Sequence, residues 1–436
     1  MEGVALAIRI FEVLAILLLI QSLISLHSGF SYVGYLKTSL RRPPGDYRPR
    51  AAVIIPVKGI DAGFDVNVAA FLAQDYPSYQ LIFAVASSDD AAYHRLIQLI
   101  AARRVFRSQT DDVIPESTGA TKLWATVVVA GYSDSRGEKV QNLLRGLAEV
   151  GPETEVLVFA DVDAWPTLDW LRSLVAPLAD PAVTVSTGFR WYLPGPRFTL
   201  RLRAAWDTTV ATMLGDHGQN FAWGGSMAIR VADFRRLRIA EDHWAGTVSD
   251  DYALTRAVRA GQGRIRFEPR CLVASREDSS FGDFFRWATR QVVLTRVYNG
   301  RLWWMGFASY LLYAAPFLLG LALIVWPSLL SPLSSPAIVR LGVTATLALI
   351  LALGMAKAAT RTVVARELFP EERETLARYG SCYWRLSILV PWIMLANFLV
   401  SAFTRRIEWR GAVYDLRSSR EIRVVRRASN GRGSTG

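Results

Sequence analysis

Three acidic pairs carry the residue types and spacing that chemistry needs. Asp161-Val162-Asp163 ends the apolar run EVLVFAD, Asp250-Asp251 opens the stretch DDYALTRAVRA, and Asp89-Asp90 follows YQLIFAV. Side chains two apart in an extended chain share a face, so Asp161 and Asp163 present their carboxylates together and repel unless a cation lies between them. An oxygen-seeking ion, Mg2+ or Mn2+, suits that pair, keeping waters and taking substrate phosphate oxygens as its other ligands. The plainer alternative is a solvated turn or a helix cap. Asp250 and Asp251 start an amphipathic helix with Leu254, Ala257 and Val258 on one face and Gly261 at its end. Both acids there serve the helix dipole, or one is a general base whose pKa a half-buried cleft raises. Upstream, Trp223-Gly224-Gly225-Ser226 is either a tight turn or a place where a sugar-bearing or apolar ligand approaches the backbone closely. Downstream, Arg286, Arg290, Arg296 and Arg301 alternate with aromatic residues. A guanidinium such as that of Arg290 can hold a diphosphate bidentately. With 2 Cys and 4 scattered His, neither a disulfide framework nor a cysteine-rich or HExxH zinc site can form.

Short runs rich in β-branched residues must position these groups. They begin at Ala51 (AAVIIPV), Tyr79 (YQLIFAV), Trp124 (WATVVVA), Glu155 (EVLVFAD) and Val183 (VTVSTGF), with helical stretches between them. Such runs predict strands covered on both faces, in a mostly parallel α/β sheet over residues 50–280. Ligands of such sheets gather at the carboxyl ends of the strands, which is where the acids lie.

The two ends of the chain differ in kind. Of 436 residues 51% are hydrophobic, and 50 Lys+Arg against 38 Asp+Glu give a net charge of +12. This excludes a disordered chain and points to a membrane protein. Residues 1–36 contain the uncharged run VLAILLLIQSLISL, a transmembrane helix rather than a cleaved signal, since Glu12 precedes it and no A-x-A site ends it. Lys37, Arg41, Arg42, Arg48 and Arg50 then place the middle domain on the cytoplasmic side. Residues 281–301 read as an interfacial amphipathic helix, and 302–403 as about three membrane segments. The uncharged connection 327–337 is expected outside. Three spans would also put the basic tail, 404–436, outside, against its charge, so one segment is misread; the last stretch, with Pro391 and Asn397, is a candidate for a re-entrant or interfacial segment. The tail itself reads as a solvated end or as a surface for lipid headgroups. The basic and aromatic residues around Arg286, Arg290, Arg296 and Arg301 flank membrane stretches and no nucleic-acid motif is present, so nucleic acid is discounted as a partner.

In order, PVKGID, QDYPSYQ, SSDDAA, GEKVQNL, FADVDAW, WGGSMAI, SDDYALTRAV and the aromatic helix resemble inverting family 2 glycosyltransferases of the GT-A fold, and among them the ceramide glucosyltransferase family. The resemblance implies a GT-A domain inserted between an N-terminal transmembrane helix and a C-terminal helical membrane region. It implies a UDP-sugar donor near Asp89, Asp90 and Lys139, with Asp161 and Asp163 holding Mn2+ or Mg2+ and the diphosphate. Asp251 would be the catalytic base and Arg290 a cation at the leaving group. Trp223, Gly224, Gly225, Asp250, Trp287 and Gln291 would line the side of a lipid acceptor. Gln291 stands where the family's (Q/R)-x-x-R-W has Trp. The composition, rich in Ala and Arg without a targeting signal, leans to a bacterial plasma membrane. Two rivals remain: a processive polysaccharide synthase, which needs more polar intramembrane residues, and an inactive membrane scaffold.

Overall fold

The structure is a computed structural model, described here for residues 2–111, 122–326 and 335–427. Most of the uncharged connection 327–337 and the last part of the basic tail lie outside the described residues. The chain divides into two compact units.

The catalytic unit comprises residues 38–191, 214–275 and 405–436. Its main sheet has seven strands: β1 (Ala51–Val57), β2 (Ser78–Val85), β3 (Lys122–Val129), β4 (Val156–Ala160), β5 (Val183–Tyr192), β6 (Ser226–Arg230) and β7 (Arg264–Ser275). Their order is β3-β2-β1-β4-β6-β5-β7. The first four are parallel, and β6 runs antiparallel to both β4 and β5. This is the GT-A arrangement expected from the motifs. All seven residues of β1 are buried, as a strand covered on both faces requires. One face packs Phe71, Phe83 and Trp170, and the other Phe159, Phe234 and Trp244. The strand order reverses between β1 and β4, and ligands bind at that point in open α/β sheets.

A second sheet corrects the expected solvated tail. β8 (Arg406–Trp409), β9 (Ala412–Leu416) and β10 (Ile422–Arg426) form an antiparallel sheet of order β10-β9-β8, and they belong to the catalytic unit. Ile407, Tyr414, Leu416 and Ile422 alternate with charged residues and are buried, so the stretch has an apolar face to cover despite its arginines.

The other unit, called the membrane unit for its long apolar helices, comprises residues 1–37, 192–213 and 276–404, so two segments assigned above to the soluble domain, 192–213 and 276–280, belong to it instead. Three of its helices are long and apolar enough to cross a membrane: Glu2–Arg41, Gly300–Val325 and Pro336–Leu368. Phe11 and Ala15 of the first pack with Leu323 and Val343 of the others. The last apolar stretch is broken, with Cys382–Ile388 and Val390–Phe403 bent by 59°. Its Asn397 is buried and fully engaged, accepting from Trp206 Nε1 at 3.2 Å and donating to Thr289 Oγ1 at 3.0 Å. Phe281–Tyr298 is the expected amphipathic helix.

Candidate active site

The site forms where β4 ends and antiparallel β6 begins. Register sets Ala160 opposite Ser226, so Asp161 leaves the sheet beside the Gly224-Gly225 pair, and its amide donates to Gly225 O at 3.4 Å. The glycines are needed for space. A Cβ at Gly225 would lie 2.3 Å from the Trp223 ring and 2.8 Å from Asp161 Oδ2; one at Gly224 would lie 2.3 Å from Asp250 Oδ2 and 2.8 Å from Lys139 Nζ.

Lys139 joins the two acidic clusters. It stands in the first turn of helix Glu138–Leu147, and Gly137 N donates to Thr247 O at 2.9 Å, which draws that helix start against the loop before Asp250. The ammonium reaches Asp161 Oδ1 at 2.8 Å and Asp250 Oδ1 at 3.2 Å. Burial alone would push its pKa down; Asp161, Asp250 and Asp251 outweigh burial and hold it above the ordinary range. Burial likewise favours neutral Asp161, but Lys139 and Arg190 keep its carboxyl below the usual value.

Arg190 is the group that sequence reading missed. It lies 2.8 Å from Asp163 Oδ1 and 3.7 Å from Asp161 Oδ2, a cation between the two carboxylates, with its guanidinium 5.3 Å from the centre of the Trp223 ring. Its only signal is its place as the one charged residue in β5, VTVSTGFRWY. The pair still fits a divalent ion. Burial raises the Asp163 pKa; Arg190 opposes this and Asp161 adds to it, so the carboxylate remains short of positive charge. Among the described residues no third His, Cys, Asp or Glu joins the cluster, which suits Mg2+ or Mn2+ completed by water and phosphate oxygens.

Asp250 and Asp251 divide their duties. Ser249, rather than either acid, is the N-cap residue of helix Asp250–Ala260. Asp250 is buried; burial first, then Asp251 and Asp161, against the pull of Lys139, push its pKa up to about 6, and its Oδ2 makes no hydrogen bond to the described residues. Asp251 is half-buried, and its carboxylate accepts from Ser249 Oγ, from Tyr252 N at 2.7 Å and from Gly224 N at 3.3 Å.

The other expected residues make contacts of their own. Asp90 accepts from Gly59 N at 3.0 Å and Ala92 N at 2.9 Å, which makes it the link between the end of β1 and the helix after β2. Asp89 is exposed and takes a bond from Ser87 Oγ. Trp287, Arg290 and Gln291 belong to the membrane unit, on helix Phe281–Tyr298. There Trp287 lies under the Arg203 guanidinium, 4.5 Å from the ring centre, and Gln291 Nε2 donates to Trp287 O at 3.5 Å.

A family model, glycosyl transferase family 21, matches residues 11–422. The chain belongs to this family. The matched range takes in the catalytic sheet, the apolar helices and most of the C-terminal sheet of this family 21 glycosyltransferase. No curated protein matches it. Among solved structures, mannosyltransferase PcManGT from Pyrobaculum calidifontis in complex with GDP-Man and Mn2+ is 18% identical, covering 90% of this chain and 99% of that one with a TM-score of 0.44. Glucosyl-3-phosphoglycerate synthase from Mycobacterium tuberculosis with Mn2+ and UDP-glucose is 16% identical, covering 62% and 83%, with a TM-score of 0.34.

Proposed function

We propose that this family 21 glycosyltransferase is a membrane-bound inverting hexosyltransferase that moves a sugar, glucose foremost, from a UDP-sugar to the hydroxyl of a lipid such as ceramide. The observation that carries the reading is the shared wall at Gly224. Its amide holds Asp251, while Asp250 and the donor-side cation Lys139 press against its α-carbon. A base and the cations for a leaving diphosphate thus stand side by side.

Asp251 takes the proton of the acceptor hydroxyl as the oxygen bonds to the anomeric carbon. The bond from that carbon to the phosphate oxygen breaks, and its electron pair leaves with the nucleoside diphosphate. One displacement inverts the centre and needs no carboxylate nucleophile. Lys139 and Arg190, two cations fixed in the site, meet the charge that develops on the diphosphate. Asp161 and Asp163 would hold Mn2+ or Mg2+, which supplies Lewis-acid neutralisation of the same charge. Arg290 is kept as a leaving-group cation, and Trp223, Gly225, Trp287 and Gln291 as acceptor-side groups. Asp89 is kept at the nucleotide.

The membrane helices fit an acceptor that stays in its bilayer. Residues 405–427 fold into the catalytic unit, so both ends of the intervening membrane segment must lie on one side. On this reading Gly300–Val325 and Pro336–Leu368 cross and the bent pair enters and returns, which keeps the basic tail on the side its charge favours. The basic segment after the first helix supports a cytoplasmic face for that side, at a bacterial plasma membrane.

The test is transfer of label from a panel of nucleotide sugars into lipid extract by the purified protein with Mn2+ or Mg2+. Label in an organic-soluble lipid is the expected result. Label in a long insoluble polymer would establish the polysaccharide synthase, and neither transfer nor hydrolysis with any donor would establish the scaffold.

A further inference from the structure

The C-terminal sheet does more than cover itself. It touches the rest of the catalytic unit close to residues that carry the site: Glu138 N, beside Lys139, donates to Tyr414 Oη at 3.2 Å, Arg256 of the Asp250 helix bonds Ser419 Oγ, and a Cβ at Gly246 would collide with Arg420 O at 2.1 Å. Its hairpin tip reaches the end of β1. Trp409 pairs with Ala412, leaving a two-residue turn in which Arg410 has φ 45° and Gly411 φ 80°. These signs belong to a type I′ turn, whose first position prefers Asn, Asp or Gly. Arginine is a poor occupant of the left-handed region, and such outliers persist where function holds them.

The Arg410 guanidinium bonds Lys58 O and, through both terminal nitrogens, the Asp61 carboxylate. Lys58, ion-paired to Glu138 at 2.7 Å, stands 5.6 Å from the centre of the Trp409 ring. Asp61 and Arg410 are 42% and 31% exposed, and a pair that open contributes little to stability. Anchoring alone therefore does not account for the strained turn. Arg410 Nε donates to none of the described residues, and with the second N–H of Nη2 it offers a further edge of the kind that grips phosphate. β1 and β4 are neighbours flanking the switch point, so the hairpin tip at the end of β1 adjoins the Asp161-Asp163 end of β4.

We infer that the C-terminal hairpin is part of the donor site and that Arg410 binds the diphosphate of the nucleotide sugar. The inference rests on the donor chemistry proposed above. The sheet that follows the last membrane helix thus completes the catalytic site.

The test is equilibrium dialysis of the full-length protein in detergent with Mn2+, comparing UDP with UMP and GDP with GMP. The informative variant is Arg410→Asn, which suits the turn and removes the guanidinium. The wild type should prefer a diphosphate to its monophosphate. Arg410→Asn should cut that preference roughly tenfold or more, the size of a lost charge-assisted bond, with monophosphate binding within about twofold and Tm equal or higher. An unchanged preference, or a lower Tm with both nucleotides weakened alike, would overturn the inference while leaving the donor reading in place. A wild type that binds no diphosphate would remove the donor reading and this inference together.

Discussion

The two units treat their buried charges in opposite ways. In the catalytic unit the charges face one another: Lys139 touches Asp161 and Asp250, Arg190 touches Asp161 and Asp163, and Asp250 Oδ2 is left without a hydrogen bond to the described residues. In the membrane unit Arg203 and Arg361 are quieted where they stand. Arg203, 1% exposed, bonds the carboxylate and carbonyl of Glu277 and lies over Tyr192 and Trp287, while Arg361 donates to Ala205 O at 3.2 Å. Carbonyls and ring faces settle a charge without leaving reactive potential around it. Facing carboxylates and cations leave a field that a charged substrate can use. This contrast assigns the facing charges of Lys139, Asp161, Asp163, Arg190 and Asp250 to the chemistry, and a structural role to Arg203 and Arg361.

The strongest way to break that contrast is to disarm the facing carboxylates. Asp163→Asn, or chelation reversed by Mn2+ or Mg2+, is expected to lower turnover by roughly 10²–10⁴, the several kcal/mol that charge neutralisation supplies. Turnover that survives both would remove the metal from the account. The matching change in the other unit is Arg203→Ala. It leaves a cavity among Tyr192, Trp206 and Trp287 and is expected to cost about 2 kcal/mol of stability, read as a lower Tm, the half-exposed Glu277 adding little. Nucleotide binding should stay unchanged, and a loss of it at unaltered Tm would erase the distinction between the units. The smallest effect is on pH. Burial raises the Asp250 pKa to about 6, so this carboxyl gains a proton, and loosens its hold on Lys139, as pH falls through that value. Activity should decline on the acid side near pH 6. Asp250→Asn should flatten that limb and lower activity at pH 8 by roughly three- to tenfold, about the worth of one such contact.

Much of this was legible in the chain. β1, β4 and the LIFAV part of β2 are uninterrupted apolar runs, and acids following such runs fall at the carboxyl edge by topology alone. β6, only SMAIR, is too short to show a period, and β7 alternates buried with half-exposed residues and carries Arg264, Arg266, Glu268 and Arg270, so a search for continuous apolar runs passes over it. The C-terminal strands were hidden by their own charge and by a turn that carries Arg410 where Asn, Asp or Gly would signal a two-residue hairpin. The meeting of Lys139 with Asp250 depends on Gly137 lying against Val248, a contact between distant segments that no local pattern records.

The central claim is that Asp251 acts on the acceptor while the facing charges beside it hold the donor. It is tested most directly by measuring sugar transfer and nucleoside diphosphate affinity together in Asp251→Asn. The account predicts that transfer falls by about 10³ or more, as for loss of a positioned general base, with diphosphate affinity within about threefold of wild type. Transfer that persists near the wild-type rate, or a diphosphate affinity that collapses along with it, would contradict that assignment.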